Sequence, residues 1–262
     1  RRRGAAGRFP DAARGRAVSP REAQEATFVF RSTPQGVNTP TPGIRLLLES
    51  MSGRVDLEMP ADAFRLTDDG IEFIDMAANR VEQQKSARFT EVMRRKGVRF
   101  PVTELSGNPT TRKEYDEGYV LLDADRRMFH LKMVQGRPYV RAIALPEGMR
   151  PEHLFITEFH NRRTLALLTD DRARLYAVCM PGYEVRRVGA VFHDPLRESI
   201  SIIGTLLHWT VCVEGASAER CYAVAADGLA QLDTISYPLS ARHLPELAFT
   251  SPKDNYVRPR LQ

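Results

Sequence analysis

The sequence predicts a mostly β chain: a propeller-like array of about four four-stranded antiparallel blades, with one amphipathic helix inserted after the first. Three observations carry this. Between His153 and Val191, four short apolar-rich runs are separated by Asn161, Asp170-Asp171 and Pro181-Gly182, the punctuation of antiparallel strands joined by tight turns. The four-run pattern returns at 99–145 and 200–239. The aromatic residues opening the third run, Phe129, Tyr176 and Tyr222, recur at intervals of 47 and 46 residues. Units of this size and period are the mark of propeller blades, each covering its neighbour's face. A β-sandwich with similar strand spacing is the competing architecture.

Taken in order, residues 1–27 read as a disordered basic tail, rich in Arg, Ala and Gly and poor in large apolar residues. Seven arginines against one aspartate place +6 on residues 1–21. The whole chain carries +5, so the remainder is close to neutral. Basic character confined to a tail argues against a nucleic-acid surface on the fold. The tail itself reads as a linker or as an arm for phosphates or anionic lipid. Opening on Arg1 rather than Met reads as a fragment or a processed product.

Residues 28–239 read as a single β-propeller-like domain. Phe28-Val29-Phe30 is a short apolar run. Ile44–Glu49, Arg54–Glu58, Ala63–Thr67 and Ile71–Asp75 read as the first blade, FRLTDDGIEFID from Phe64 aligning with YAVAADGLAQLD from Tyr222. Both place an Asp-Gly pair between strands three and four, the preferred chemistry of a tight hairpin. Over 79–96 the pattern becomes helical. Asn79 can cap, Val81, Phe89, Val92 and Met93 share a face, and Gly97 is a stop. Residues 240–262 read as an irregular C-terminal segment, with a strand near Tyr256-Val257.

No nucleophile elbow, phosphate-binding loop, dinucleotide fingerprint or Cys-x-x-Cys pair is present, and the six histidines lack metal spacing. No catalytic residue, metal ligand or cofactor is therefore assigned. One stretch departs from the blade template: unit two inserts the polar loop Ser106–Glu117 between its first two strands. Long polar loops inside compact repeats are functional or merely mobile, and here Arg112 and Lys113 beside Glu114, Asp116 and Glu117 either bind a charged group or neutralise one another on a solvated turn. Since one-to-two and three-to-four loops leave a propeller on one face, Arg112, Lys113 and Asp116 should share that face with His160 and His208. These five are the candidate ligand-binding residues, suited to a small anionic or zwitterionic group. His130, on a strand, reads as a hydrogen-bonded interior residue, and His193 falls on the opposite face. The competing enzyme reading is a hydrolase or lyase acting on glycan or peptide, with Asp116, His160 and Glu158 converging at the ring centre.

The stretches STPQGVNTPTPG, SGRVDLEMPADAFRL and SGNPTTRKEYDEGYVLLDADRRMFHLK resemble an uncharacterised (domain-of-unknown-function) family of bacterial envelope proteins, over roughly Phe30 to Leu239. The resemblance implies genes lying beside ABC-transporter components, and a soluble domain flanked by membrane segments. It thus implies a non-enzymatic binding or scaffold domain on the extracytoplasmic face of the inner membrane, with an ABC-transporter component as its membrane-protein partner. This chain shows no membrane segment at either end, so those segments are expected outside it.

Three cysteines cannot all pair within one chain. If Gly215–Ala218 form a hairpin loop, Cys212 faces Cys221, near enough to oxidise in an extracytoplasmic compartment. Simple packing of two thiols is the alternative. Cys179, on a third strand, reads as a buried apolar filler.

Overall fold

The computed structural model describes residues 12–13, 16–40, 43–50, 56–239, 247–250 and 258–261. At the N-terminal end β1 (Ala12–Ala13) pairs with β2 (Arg16–Ala17). Helix α1 (Pro20–Glu25) starts at a capping box, Ser19 Oγ accepting from Glu22 N–H at 3.1 Å and the Glu22 carboxylate from Ser19 N–H at 2.9 Å. Strand β3 (Phe28–Ser32) and the short α2 (Pro34–Asn38) follow.

Four antiparallel meanders then form the blades. Blade 1 is β4 (Ile44–Arg45), β5 (Asp62–Leu66), β6 (Ile71–Asp75) and β7 (Arg80–Val81), followed by α3 (Gln83–Arg95). Blade 2 is β8 (Glu104–Gly107), β9 (Tyr119–Leu122), β10 (Met128–Val134) and β11 (Arg137–Ile143). Blade 3 is β12 (Pro151–Ile156), β13 (Thr164–Asp170), β14 (Arg174–Cys179) and β15 (Glu184–Phe192). Blade 4 is β16 (Ser199–Gly204), β17 (His208–Glu214), β18 (Ala218–Ala225) and β19 (Gln231–Pro238). In the C-terminal segment β20 (Leu247–Thr250) pairs with β21 (Arg258–Leu261), while Tyr256-Val257 lie outside the described residues.

Three apolar clusters hold the blades in succession. Phe64, Phe73, Phe89, Met93, Leu121 and Leu131 fill the space between blades 1 and 2 beneath α3. Val120, Leu122, Leu154 and Leu168 lie between blades 2 and 3. Leu167, Val188, Ile202, Trp209 and Val211 lie between blades 3 and 4. Neighbouring residues of β9 and β13 serve different clusters, so these central strands are apolar on both faces. Successive sheets pack on each other, and among the described residues no apolar cluster joins the first blade to the third. The fold is the propeller-like array and not the sandwich. None of the three clusters spans blades 4 and 1, and the outer face of blade 4 leaves Val29, Ile203, Ile235 and Tyr237 exposed.

The first blade departs from its expected strand assignment. Residues 56–58 form no strand, and Arg54-Val55 lie outside the described residues. The blade's fourth strand is β7, inside the segment that reads as helix. Asp75 Oδ1 accepts from Ala77 and Ala78 N–H at 2.8 and 2.7 Å, and Asn79 takes a left-handed φ of 49°. This short turn returns the chain as a strand, so Asn79 caps nothing and α3 begins at Gln83. Phe64 consequently sits on a second strand and Tyr222 on a third, and the FRLTDDGIEFID alignment is displaced by one strand.

The run at Phe28 is a fifth strand of blade 4: β3 pairs with β16, Phe28 opposite Gly204. A Cβ at Gly204 would meet Phe28 Cε1 at 2.0 Å, so only glycine admits that ring. Phe28 also stacks on Phe159 and meets Trp209 edge-on, fastening the N-terminal strand across blades 3 and 4.

Blades 2 and 3 turn from strand two to strand three by one device. Asp123 Oδ1 accepts from Asp125 and Arg127 N–H, while Arg127 reaches Oδ2 at 2.6 Å. Asp170, 47 positions later, bonds Arg172 and Arg174 in the same way. Burial opposes ionisation of both carboxylates, but the arginine and backbone hydrogen bonds outweigh it and hold both below the usual carboxylate range.

In blade 4, Cys212 faces Cys221, Val213 faces Arg220 and Glu214 faces Glu219, as the sequence register requires. The opposed cysteines are disulfide-bonded with Cα atoms 4.1 Å apart, leaving Cys179 as the free thiol. Protein purified without reductant should therefore titrate as one thiol after denaturation. Three would refute this bond.

Candidate functional site

The inserted loop of blade 2 folds down onto blade 3. Lys113 Nζ donates to Asn108 O, Asp116 Oδ1 and Glu158 Oε1, each at 2.6 Å. Those three acceptors match the three protons of an ammonium group. Asp116 Oδ2 accepts from Ser50 Oγ at 2.8 Å and Gly118 N–H at 2.9 Å. The Lys113, Asp116 and Glu158 side chains are 8%, 2% and 5% exposed. Burial pushes the Glu158 carboxyl up, against its hydrogen bond from Lys113. Beside them Tyr115 Oη donates to Phe159 O at 2.7 Å beneath the Arg162 guanidinium. His160 pairs with Glu114 at 2.6 Å on the surface.

The structure thus brings Lys113, Asp116 and His160 to one blade junction, where the first two bond within the protein. Arg112 stands exposed on the same loop. His208 takes no part in this network. It lies at the first turn of blade 4, where its N–H and carbonyl both engage Thr205. Next to it a cleft of about 690 Å³ between blades 3 and 4 is lined by Phe28, Asn161, Arg162, Cys179, Trp209 and Asp227.

Under the loop, His130 is fully buried. Its Nε2 donates to Glu117 O at 2.6 Å, leaving Nδ1 to accept from Tyr183 Oη at 2.9 Å. Burial lowers its pKa to about 4, so the imidazole is neutral. This is the interior histidine that the strand pattern implies.

The four edge strands β3, β4, β8 and β12, one from each blade, converge on a cavity of about 690 Å³. Arg31, Arg45, Glu104 and His153 line it, and Pro109 of the inserted loop forms part of its wall. Burial pushes the Glu104 carboxyl above its usual range, against the pull of His153, the Leu154 N–H, Arg126 and Arg45. Two guanidiniums beside one carboxyl outnumber it and give the cavity a positive balance, suited to an anion.

None of these four residues stands out along the chain, because each comes from a different blade. The available signal was positional: Glu104 and His153 lie 49 residues apart, near the blade period.

Among solved structures the chain is similar to the Dos1 propeller, at 10% identity and TM-score 0.38, over 71% of this chain and 45% of that one. It thus spans about half the length of that relative. It is also similar to dihydro-heme d1 dehydrogenase NirN in complex with DHE (10%, TM-score 0.31, 94% of this chain and 70% of that one). A third is the Cps50 (Swd1) beta-propeller domain of Myceliophteria thermophila (8%, TM-score 0.26, 76% of this chain and 87% of that one). Likenesses this distant say nothing of activity. No curated protein matches. The model of one family, DUF4857, matches residues 1–224, most of the length, and the chain belongs to that family, described as a domain of unknown function.

Proposed function

We propose that the chain is a non-enzymatic binding or scaffold domain on the extracytoplasmic face of the inner membrane, serving an ABC transporter, and that it holds a small anion in its central cavity. The observation carrying the ligand reading is the meeting of Arg31 and Arg45 with Glu104 and His153 where the edge strands of all four blades converge. The Cys212–Cys221 disulfide supports the compartment, since such bonds persist where the surroundings are oxidising. The transporter partner rests on the resemblance of the quoted stretches to envelope proteins encoded beside such systems. Among the described residues no helix is long and apolar enough to cross a membrane. Anchoring on this reading belongs to segments elsewhere.

Titration calorimetry with small carboxylates and inorganic phosphate tests the cavity. Arg45→Ala should weaken binding by about 1–3 kcal/mol, the worth of a charge-assisted hydrogen bond. Arg112→Ala, outside the cavity, should leave it unchanged. The reverse pattern would move the ligand to the loop.

A second reading, a hydrolase or lyase acting on glycan or peptide, is favoured by one observation. Burial raises the Glu104 pKa, the direction a general acid requires, and the residue sits in a cavity with His153. Asp116 and Glu158 are held by Lys113, so on this reading Glu104 takes the acid role. Turnover of a peptide or glycan panel that Glu104→Gln abolishes would establish it. Turnover unaffected by that change would remove it.

A further inference from the structure

We propose that reduction of the Cys212–Cys221 disulfide converts this face of blade 4 into a zinc site, with both thiolates and the Glu219 carboxylate as protein ligands. The argument begins with the register. Cys212 and Glu214 are two apart on β17, Glu219 and Cys221 two apart on β18, and each Cys faces Cys and each Glu faces Glu. Residues two apart share a sheet face, so the hairpin presents a two-by-two block of thiol and carboxylate groups. The sulfurs and a Glu219 oxygen lie within 4.8 Å of one another. A tetrahedral zinc ion with Zn–S near 2.3 Å needs its two sulfurs about 3.8 Å apart, within that span.

A second, independent feature is charge. Carboxylates directly opposite one another on paired strands repel, and a divalent cation beside Glu219 and Glu214 relieves that repulsion. Arg220, the nearest cation in sequence, is engaged by Glu198. Cys212, Glu219 and Cys221 are half-buried and Glu214 is exposed, so solvent reaches the block and water can take the fourth position. The chemistry also suits the metal: two soft thiolates and one oxygen favour zinc over calcium or magnesium.

The step needs a reductant, an external dithiol. Two electrons and two protons pass from it to the S–S bond, which cleaves to two thiols as the dithiol closes to its own disulfide. Zinc then displaces both thiol protons to solvent and two S–Zn bonds form. The oxidised hairpin has no thiolates to offer, so the site exists only in the reduced state.

The test uses the whole chain with Cys179→Ser, which removes the unrelated thiol. Protein reduced with a phosphine and freed of it under argon is titrated with zinc against a chromophoric chelator, and separately with cobalt. One equivalent bound by the reduced form and none by the oxidised form is expected, with thiolate-to-cobalt charge-transfer absorption. Glu219→Gln retains the disulfide and the fold, and should lower zinc affinity at least tenfold, the order of loss seen even for outer-shell partners. Equal uptake by oxidised and reduced protein, no uptake by folded reduced protein, or unchanged affinity in Glu219→Gln would each overturn the proposal.

Discussion

Replacing Lys113 by methionine is expected to cost the fold about 3–5 kcal/mol, the scale for stripping one partner from a buried ion pair. The ammonium group is the positive partner of both Asp116 and Glu158, whose side chains are almost wholly out of water. Methionine fills the volume without supplying a donor, so two carboxylates and the Asn108 carbonyl lose a hydrogen bond together. Urea unfolding at neutral pH measures the effect, and His160→Ala is the internal control. That pair is exposed on both sides, and exposed pairs contribute under about 1 kcal/mol. A Lys113→Met loss no larger than the control would mean that water reaches the junction.

The second expectation concerns acid. His130 has a folded pKa of about 4 against an ordinary 6.5, because burial disfavours its charged form. Between those values the unfolded chain binds the extra proton. The stabilisation is therefore fully present above pH 6.5 and is lost as pH falls toward 4, amounting to about 3 kcal/mol across the window. Other groups titrate nearby. His193 is lowered by burial and acts in the same direction, while Glu104 and Glu158 are raised by burial and act in the opposite one. Asp123 and Asp170, held below their ordinary 3.8, act at lower pH. The quantity to measure is thus the difference between wild type and His130→Gln in unfolding free energy at pH 7 and pH 4.5. A shallower slope in the variant is expected. Identical slopes would show that His130 is not the group responsible.

Much of the fold was legible because blades 2 to 4 write their strands as apolar runs broken by turn residues. Even the cysteine register followed from the length of one loop. Blade 1 was not legible in the same way, because a two-residue strand such as Arg80–Val81 carries no periodicity of its own. Val81 also falls in phase with Phe89 and Val92 of the helix after it. Strand β3 is legible as an apolar run but its place is not, since its partner, β16, lies about 170 residues away. Helix α1 carries a readable Ser19–Glu22 capping signature, but it is six residues long and set among Arg, Ala and Gly, whose composition points to disorder. The loop 106–117 was found from its length, but length does not tell a ligand site from a latch. Deciding that required knowing that Glu158 of the next blade meets Lys113.

The paired Asp–Arg turns at 123–127 and 170–174 close locally and also reach beyond themselves: Asp123 Oδ2 accepts from Arg99 N–H, Arg126 donates to Pro151 O, and Asp170 Oδ2 accepts from Tyr176 Oη. The first also holds Gly97 O through Arg127, so it ties its hairpin to the chain on either side. Both turns lie inside a blade, between its second and third strands, so each shapes one hairpin and not the boundary between repeats. Any lengthening or shortening of the array has instead to rebuild the apolar clusters between blades, since these and not the turns join one repeat to the next.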